Sequence, residues 1–446
     1  MPARRRHRPA SAQPEGPCFA PVSHRIGRLI PRSAGARAGL ALLLALVGGI
    51  AIGGYLYERH RTGNIYHPHA RFLPEPAPTP PKRAPAQFTW PFYGYTPEHT
   101  RFLPAPETLR PPFRRLWSNN SRTLLEFPPV MAGGRIYQLG DDGVLFAISR
   151  HSGKVLWTRH LGRLSASSPA VAGGTVYATV LMRTHGGGGE VVALNRADGR
   201  IRWTRDLPSP SESSPLLDHG MLFFGSQDGT VYALNDRTGG VLWTYRAAGA
   251  VKASPTLMGG VLYFGDYSGH VQAVSEQTGR RLWRSGSGGT LLGSGTFYST
   301  AAAQYGRIFL GNTDGRIYAY DASTGKLDWA VQTGAYVYAS PAITNAPGIG
   351  PTLYLGSYDG VFYALNARSG AITWKFAAGG RISGSATIVG RIVYFADLGQ
   401  HHTYGLDIST GRRRFAAETG SFDPVISDGK NIYLTGVTGL FALGPS

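Results

Sequence analysis

The chain has 446 residues, 61 of them Gly and 31 Pro, with 11% aromatic and 16% charged residues. So many turn formers argue against a long-helix protein, and so much aromatic content with so few charges argues against global disorder. The net charge is +19, and a single cysteine, Cys18, excludes an intramolecular disulfide.

Residues 1–37 carry eight Arg and one acid, Glu15. Residues 38–57, AGLALLLALVGGIAIGGYLY, follow as an unbroken apolar run. A helix of that length spans ~30 Å, the thickness of a bilayer's hydrocarbon core. Only Arg59 and Arg61 follow closely, beside Glu58. The positive-inside bias therefore predicts a basic cytoplasmic tail (1–37), a transmembrane helix (38–57) and an extracytoplasmic remainder, in a single pass of the cytoplasmic membrane. The rival is a cleaved signal peptide. The long basic region and the poor cleavage site, Ala51-Ile52-Gly53 at best, favour the uncleaved anchor. Residues 58–87 are Pro-rich and predict an extended spacer.

Residues 88–446 hold an internal repeat. Trp117, Trp157, Trp203, Trp243, Trp283, Trp329 and Trp374 recur at intervals of 40, 46, 40, 40, 46 and 45 residues, and Phe415 continues the series 41 residues later. From residue 147 onward a frame of Ala, six residues to Gly and four more to the aromatic stands seven times, from AISRHSGKVLW (147–157) to GLDISTGRRRF (405–415), where Gly405 takes the Ala place. Each unit reads as four short strands. Asp-Gly pairs such as Asp228-Gly229, Asp314-Gly315 and Asp359-Gly360 supply hairpin turns, because Gly tolerates positive φ. Four strands in ~40–46 residues make one propeller blade. The last unit stops at residues 439–443 without its Trp strand, whereas Arg115-Leu116-Trp117 is a Trp strand with no blade before it. The expected fold is all-β: an eight-bladed propeller, closed by an N-terminal strand so that no edge is left open.

The frame A-x-D/N-x-x-T-G-x-x-x-W resembles the PQQ-like propeller repeat, and Trp90-Pro91-Phe92-Tyr93-Gly94-Tyr95 with Arg101 resembles the entry segment of that superfamily. The resemblance covers residues 88–446 and implies that the seven Trp and Phe415 are structural. One branch of the family comprises quinoprotein dehydrogenases, which bind pyrroloquinoline quinone and Ca²⁺ over an adjacent Cys-Cys disulfide. Another is non-enzymatic and includes the propeller lipoprotein of the outer-membrane β-barrel assembly machine. Here the propeller has no cysteine and only short inserts, and a helix stands where that lipoprotein has a lipidated Cys. The expectation is a non-catalytic scaffold without bound cofactor, whose partner is an envelope protein or cell-surface ligand. A quinone-dependent oxidoreductase and an extracytoplasmic sensor are the alternatives. No RNP-like, zinc-finger or helix-turn-helix pattern points to specific nucleic acid.

Candidate binding residues come from blade alignment. The position three before the Pro-equivalent residue reads Glu126, Ala166, Glu212, Lys252, Tyr298, Tyr338, Ser383 and Ser421. Tyr336 and Arg381 lie near it in sequence. Tyr267 and Tyr358 come from turns on the same face, as do the HGGGG insertion (185–189) and the Gly-rich connector 286–295. Glu212, Lys252, Tyr267, Tyr298, Tyr336, Tyr338, Tyr358 and Arg381 are thus the expected ligand- or partner-binding set. The competing expectation is that Glu212 and Lys252 merely neutralise each other. His401-His402 near Asp397 reads as a surface turn, and no motif for a catalytic nucleophile, a phosphate cradle or a metal is present.

Overall fold

The structure is a computed structural model that describes residues 34–61, 64–75, 88–288, 293–420, 422 and 425–446. It separates into two compact units, residues 1–61 and 62–446. The basic tail up to residue 33, with Cys18, lies outside the described residues.

In the first unit the helix Ala34–Arg61 has 28 residues and contains the apolar run. Leu42, Leu43, Leu44, Leu46, Val47, Ile50 and Ile52 are all exposed. Among the described residues no helix is long and apolar enough to cross a membrane. The expected span therefore rests on the sequence pattern.

The second unit is the propeller. Eight four-stranded antiparallel blades follow one another in chain order, each running from the axis outward. Blade 1 spans residues 130–160 and blade 2 residues 170–206. Blades 3 to 7 span 216–246, 256–286, 302–332, 342–377 and 387–417. Blade 8 takes its three inner strands from 425–445 and its outer strand from Phe113–Asn120, which pairs from Phe113 with Pro445 to Asn120 with Gly439. The ring closes with the N-terminal strand, as the interrupted repeat predicts. Apolar clusters fill the wedges between blades: Tyr137 and Leu145 of blade 1, for instance, pack with Val176 and Leu194 of blade 2.

The register explains the repeat. The frame's Ala lies opposite its own blade's Trp, as Ala233 does opposite Trp243, with a bulge just after it. Each Trp Nε1 donates to a carbonyl of the next blade, over 2.8 Å from Trp243 to Glu276 and 3.0 Å from Trp117 to Arg150. Trp157, Trp203, Trp283, Trp329 and Trp374 repeat the contact with Arg196, Asp236, Ala322, Ala367 and Ile408. The frame's Gly is where the preceding blade's Trp ring lands. Gly279 has φ 66°, and a Cβ on it would meet Trp243 Cε3 at 2.5 Å. Phe415 has no N–H to donate; it meets Phe113 and Tyr394 edge-on instead.

Two segments depart from the expected layout. Residues 64–75, inside the expected spacer, are strapped onto blade 5. Ile65 and Tyr66 pair with Ala330 and Trp329, and Phe72 stacks 5.0 Å from Tyr305. Glu75 accepts from the Tyr305 backbone N–H and from Gln304. The strap buries Trp329 completely, whereas the outer-strand Trp residues of the other blades are half-buried. The rest of the expected spacer up to residue 87, from residue 76, lies outside the described residues.

The entry segment is the second departure. Residues 90–103 thread across the axis and bond to the inner strands of six blades. Trp90 pairs with Met131 of blade 1, and Pro91 accepts from Val171 of blade 2. Pro97, Glu98, Thr100 and Arg101 accept from Leu257, Ala303, Ile343 and Ile388 of blades 4 to 7. Phe102 and Leu103 add a parallel strand inside blade 7. The segment is a plug that stops the channel.

Candidate functional site

In each blade the link into the inner strand and the turn between the second and third strands share one end of the propeller. The expected binding residues sit around that mouth, because strand connectivity fixes which end each turn occupies.

All eight join one continuous arc of contacts from blade 3 to blade 7. Lys252 Nζ lies 2.7 Å from Glu212 Oε1. Gln227 Nε2 donates to the same oxygen. The Lys252 ammonium also stands 5.1 Å from the Tyr267 ring centroid. Tyr267 meets Tyr298 at 6.3 Å, and Tyr298 meets Tyr338 edge-on at 5.6 Å. Tyr338 contacts Tyr358 at 4.8 Å and Tyr336 at 6.0 Å, edge-on. The Arg381 guanidinium closes the arc 5.9 Å from Tyr358. These perpendicular and tilted ring pairs set positive edges against negative faces, an arrangement worth ~0.5–1.5 kcal/mol per pair beyond burial.

Glu212 and Lys252 form an ion pair across neighbouring blades. Their side chains are 12% and 22% exposed, so the pair is neither sealed nor free in solvent. Burial pushes up the Tyr298 hydroxyl, with Glu212 adding to it, and likewise the Tyr267 hydroxyl. Burial, then Tyr358 and Tyr336, raise Tyr338. These phenols stay neutral donors at any physiological pH. Tyr336 is 53% exposed and forms the rim.

Below the arc the channel narrows to a small cavity of about 50 Å³. Its floor is Tyr93 of the plug, whose hydroxyl bonds Ser340 at 3.2 Å and also Ser385. Glu126, Phe127 and Phe422 share the lining. Sequence reasoning placed Glu126 in the mouth column but missed Tyr93, Phe127 and Phe422. For Tyr93 the signal was the Trp90–Tyr95 run, which marks the entry to the fold without showing that the chain crosses the axis. Beneath Tyr93, Arg101 is 4.5 Å from its ring centroid and donates to the His99 and Pro341 carbonyls. Burial first, and the Arg101 charge second, hold His99 well below its usual range, so it is neutral.

Of the other sequence features on this face, the connector 286–295 is described only in part, and Ser421 lies outside the described residues. His401 is exposed at φ 56°, while His402 stacks on Tyr404 at 6.0 Å. They diverge as adjacent residues on a turn must.

The fold has known counterparts. The structure of BamB from Moraxella catarrhalis superposes with a TM-score of 0.62 at 16% identity, covering 74% of this chain and 99% of that one. A europium-containing methanol dehydrogenase gives 0.67 at 13% identity, covering 80% and 98%. Quinohemoprotein alcohol dehydrogenase from Comamonas testosteroni gives 0.64 at 14%, covering 80% of each. At such identities the likeness is one of fold. No curated protein matches the sequence. A family model described as outer membrane protein assembly factor BamB matches at residues 114–180, 178–284, 267–414 and 342–439. That match runs through every blade, and the chain belongs to this family of PQQ-like β-propellers.

Proposed function

We propose that the protein is a non-catalytic scaffold whose propeller mouth binds an envelope protein or cell-surface ligand outside the cytoplasm, tethered by the helix at its N-terminal end. The observation that carries this is the arc from Glu212 to Arg381. Tyrosines give large contact area at low entropy cost and keep a hydroxyl for hydrogen bonding, which suits protein recognition. The Lys252–Glu212 pair and Arg381 place charge at the two ends of the arc. The plug makes the mouth a shallow dish closed by Tyr93, a shape suited to a protruding loop or strand more than to a substrate passing through. Membership in a family described as an assembly factor agrees with protein binding in general.

The reading without pyrroloquinoline quinone is supported by the residues present. That group is a rigid tricarboxylate. The cavity is lined by Glu126 and Glu212, which repel carboxylates, and its Lys252 is already engaged by Glu212.

The tether is supported by the apolar run 38–57, by the Arg-rich residues before it, and by the exposure of Leu42, Leu43, Leu44 and Ile50, side chains that lipid would cover. A reporter active only outside the cytoplasm, fused after residue 446, is expected to be active. The same reporter fused after residue 33 is expected to be silent.

Binding is tested with the detergent-solubilised full chain against envelope extract. A specific protein is expected to be retained, and Tyr338→Ala and Lys252→Ala are each expected to weaken its retention at least ~10-fold, the size of a hot-spot loss. Equal retention by both variants removes the mouth from the reading. Stoichiometric uptake of pyrroloquinoline quinone with Ca²⁺, accompanied by dye-linked alcohol oxidation, replaces it with an oxidoreductase.

A further inference from the structure

The end of the propeller opposite the mouth carries the turns between first and second strands and those after the third. In blade 3 the first of these reads Asp218-His219-Gly220, and in blade 4 the second begins with Glu276. Blades 1, 2 and 4 fill the first turn with Gly133-Gly134, Gly173-Gly174 and Gly259-Gly260. Blade 3 puts a carboxylate and an imidazole there instead, at the junction with its neighbour.

His219 Nδ1 lies 2.6 Å from Asp218 Oδ2 and 3.6 Å from Glu276 Oε1. One ligand atom from each of the three residues falls within 4.8 Å of the other two. The three come from two neighbouring blades, so the cluster is made only when blade 3 packs against blade 4. The Glu276 side chain is 7% exposed, and its Oε1 has no donor within hydrogen-bond distance, His219 Nδ1 standing just beyond it at 3.6 Å. A buried carboxylate oxygen without a donor is costly, and a second carboxylate beside it adds repulsion. Among the described residues neither Asp218 nor Glu276 pairs with a Lys or Arg, and His219 is the sole cationic group at hand. Glu276 is also held in place: its backbone N–H donates to Gly260 and its carbonyl receives Trp243 Nε1.

We propose that Asp218, His219 and Glu276 form a binding site for a divalent transition-metal ion, best matched by zinc, that ties blade 3 to blade 4. One imidazole and two carboxylates are ligands of the right kind, with bonds of ~2.0–2.2 Å. A tetrahedron of such bonds has edges of ~3.3–3.5 Å. The separation of His219 from Glu276 nearly meets that already. Asp218 must open from His219 by less than ~1 Å to accept the ion, and these side chains, 30% and 80% exposed, have room to turn. The exposed side of His219 leaves the fourth position to water, the pattern of a three-ligand zinc site. Imidazole beside carboxylate favours zinc over the all-oxygen cations Mg²⁺ and Ca²⁺. The ion would give Glu276 Oε1 a closer positive partner than His219 does.

The test uses the detergent-solubilised full chain, stripped with chelator and titrated with Zn²⁺ against a chromophoric competitor. The chain has other His residues, so the readout is the difference between proteins. Wild type is expected to take up one equivalent more than His219→Ala, and Glu276→Gln is expected to weaken that equivalent at least tenfold. Zinc is expected to raise the wild-type unfolding midpoint and to leave that of His219→Ala unmoved. If Glu276→Gln fails to fold, Asp218→Asn, at a half-exposed position, gives the same comparison. No uptake by wild type, or equal uptake and equal affinity in the variants, overturns the site.

Discussion

The Gly in each repeat frame answers two demands at once. It takes a left-handed φ, which L side chains rarely adopt, and it receives the ring of the preceding blade's Trp. At Gly279 both are measurable, so Gly279→Ala is expected to destabilise by ~1–3 kcal/mol, the range for overpacking combined with an unfavourable φ. Equilibrium denaturation checks it; no loss would mean that the ring and turn shift freely. A second residue-scale prediction concerns Asp141, in the turn of blade 1. Burial, then Asp142, raise its carboxyl from 3.8 to about 6. The folded value lies above the unfolded one, so this group's contribution is fully present below pH 3.8 and is lost as pH rises through 6. Asp141→Asn is therefore expected to stabilise the protein at pH 8 and to do little at pH 4. The gain, discounted because the group is only partly buried, is ~1 kcal/mol. Melting curves at the two pH values measure it.

At the scale of elements, the strap decides the outer face of blade 5. Arg307, 1% exposed, lies 2.6 Å from Asp328 and donates to the carbonyls of Ala367 and Arg368. Its guanidinium is also 5.0 Å from the Phe72 ring centroid. Phe72 thus covers both a charge and Tyr305. Phe72→Ala is expected to cost ~2 kcal/mol, less than a fully buried Phe because the ring is only partly covered, and to speed amide exchange in residues 327–332 beneath the strap. Unchanged exchange there would mean that the strap does not protect the blade. Composition hid this element, since a Pro-rich segment reads as spacer whether or not a surface waits for it. The plug was hidden likewise. Trp90 to Arg101 carries no strand alternation, and its backbone bonds go to inner strands up to 287 residues away in sequence, from Arg101 to Ile388, a pairing that only the folded ring creates.

For the whole molecule, closure is the organising event. The outer strand of blade 8 is Phe113–Asn120, and without it residues 439–445 become an open edge. Deleting residues 113–120 is expected to lower the thermal midpoint and to produce concentration-dependent aggregation, seen by calorimetry and light scattering. A deletion chain that melts at the original temperature without aggregating would show that the ring closes by another route. The mouth and the Asp218–His219–Glu276 cluster depend on packing between consecutive blades, since each gathers side chains from more than one blade.

The sequence by itself determined the blade count, the blade order, the Ala–Gly–Trp frame and the joining of the termini. These follow from local turn chemistry and a fixed period, both carried by short stretches of chain. It also placed the mouth residues, because strand connectivity assigns each turn to one end. Tertiary structure alone decided that Tyr267, Tyr298, Tyr338 and Tyr358 touch in series, that Tyr93 stops the channel and that His219 of one blade meets Glu276 of the next. Such contacts depend on how far each blade is rotated from its neighbour, and that rotation is set by packing across the wedge rather than by any residue's own preference.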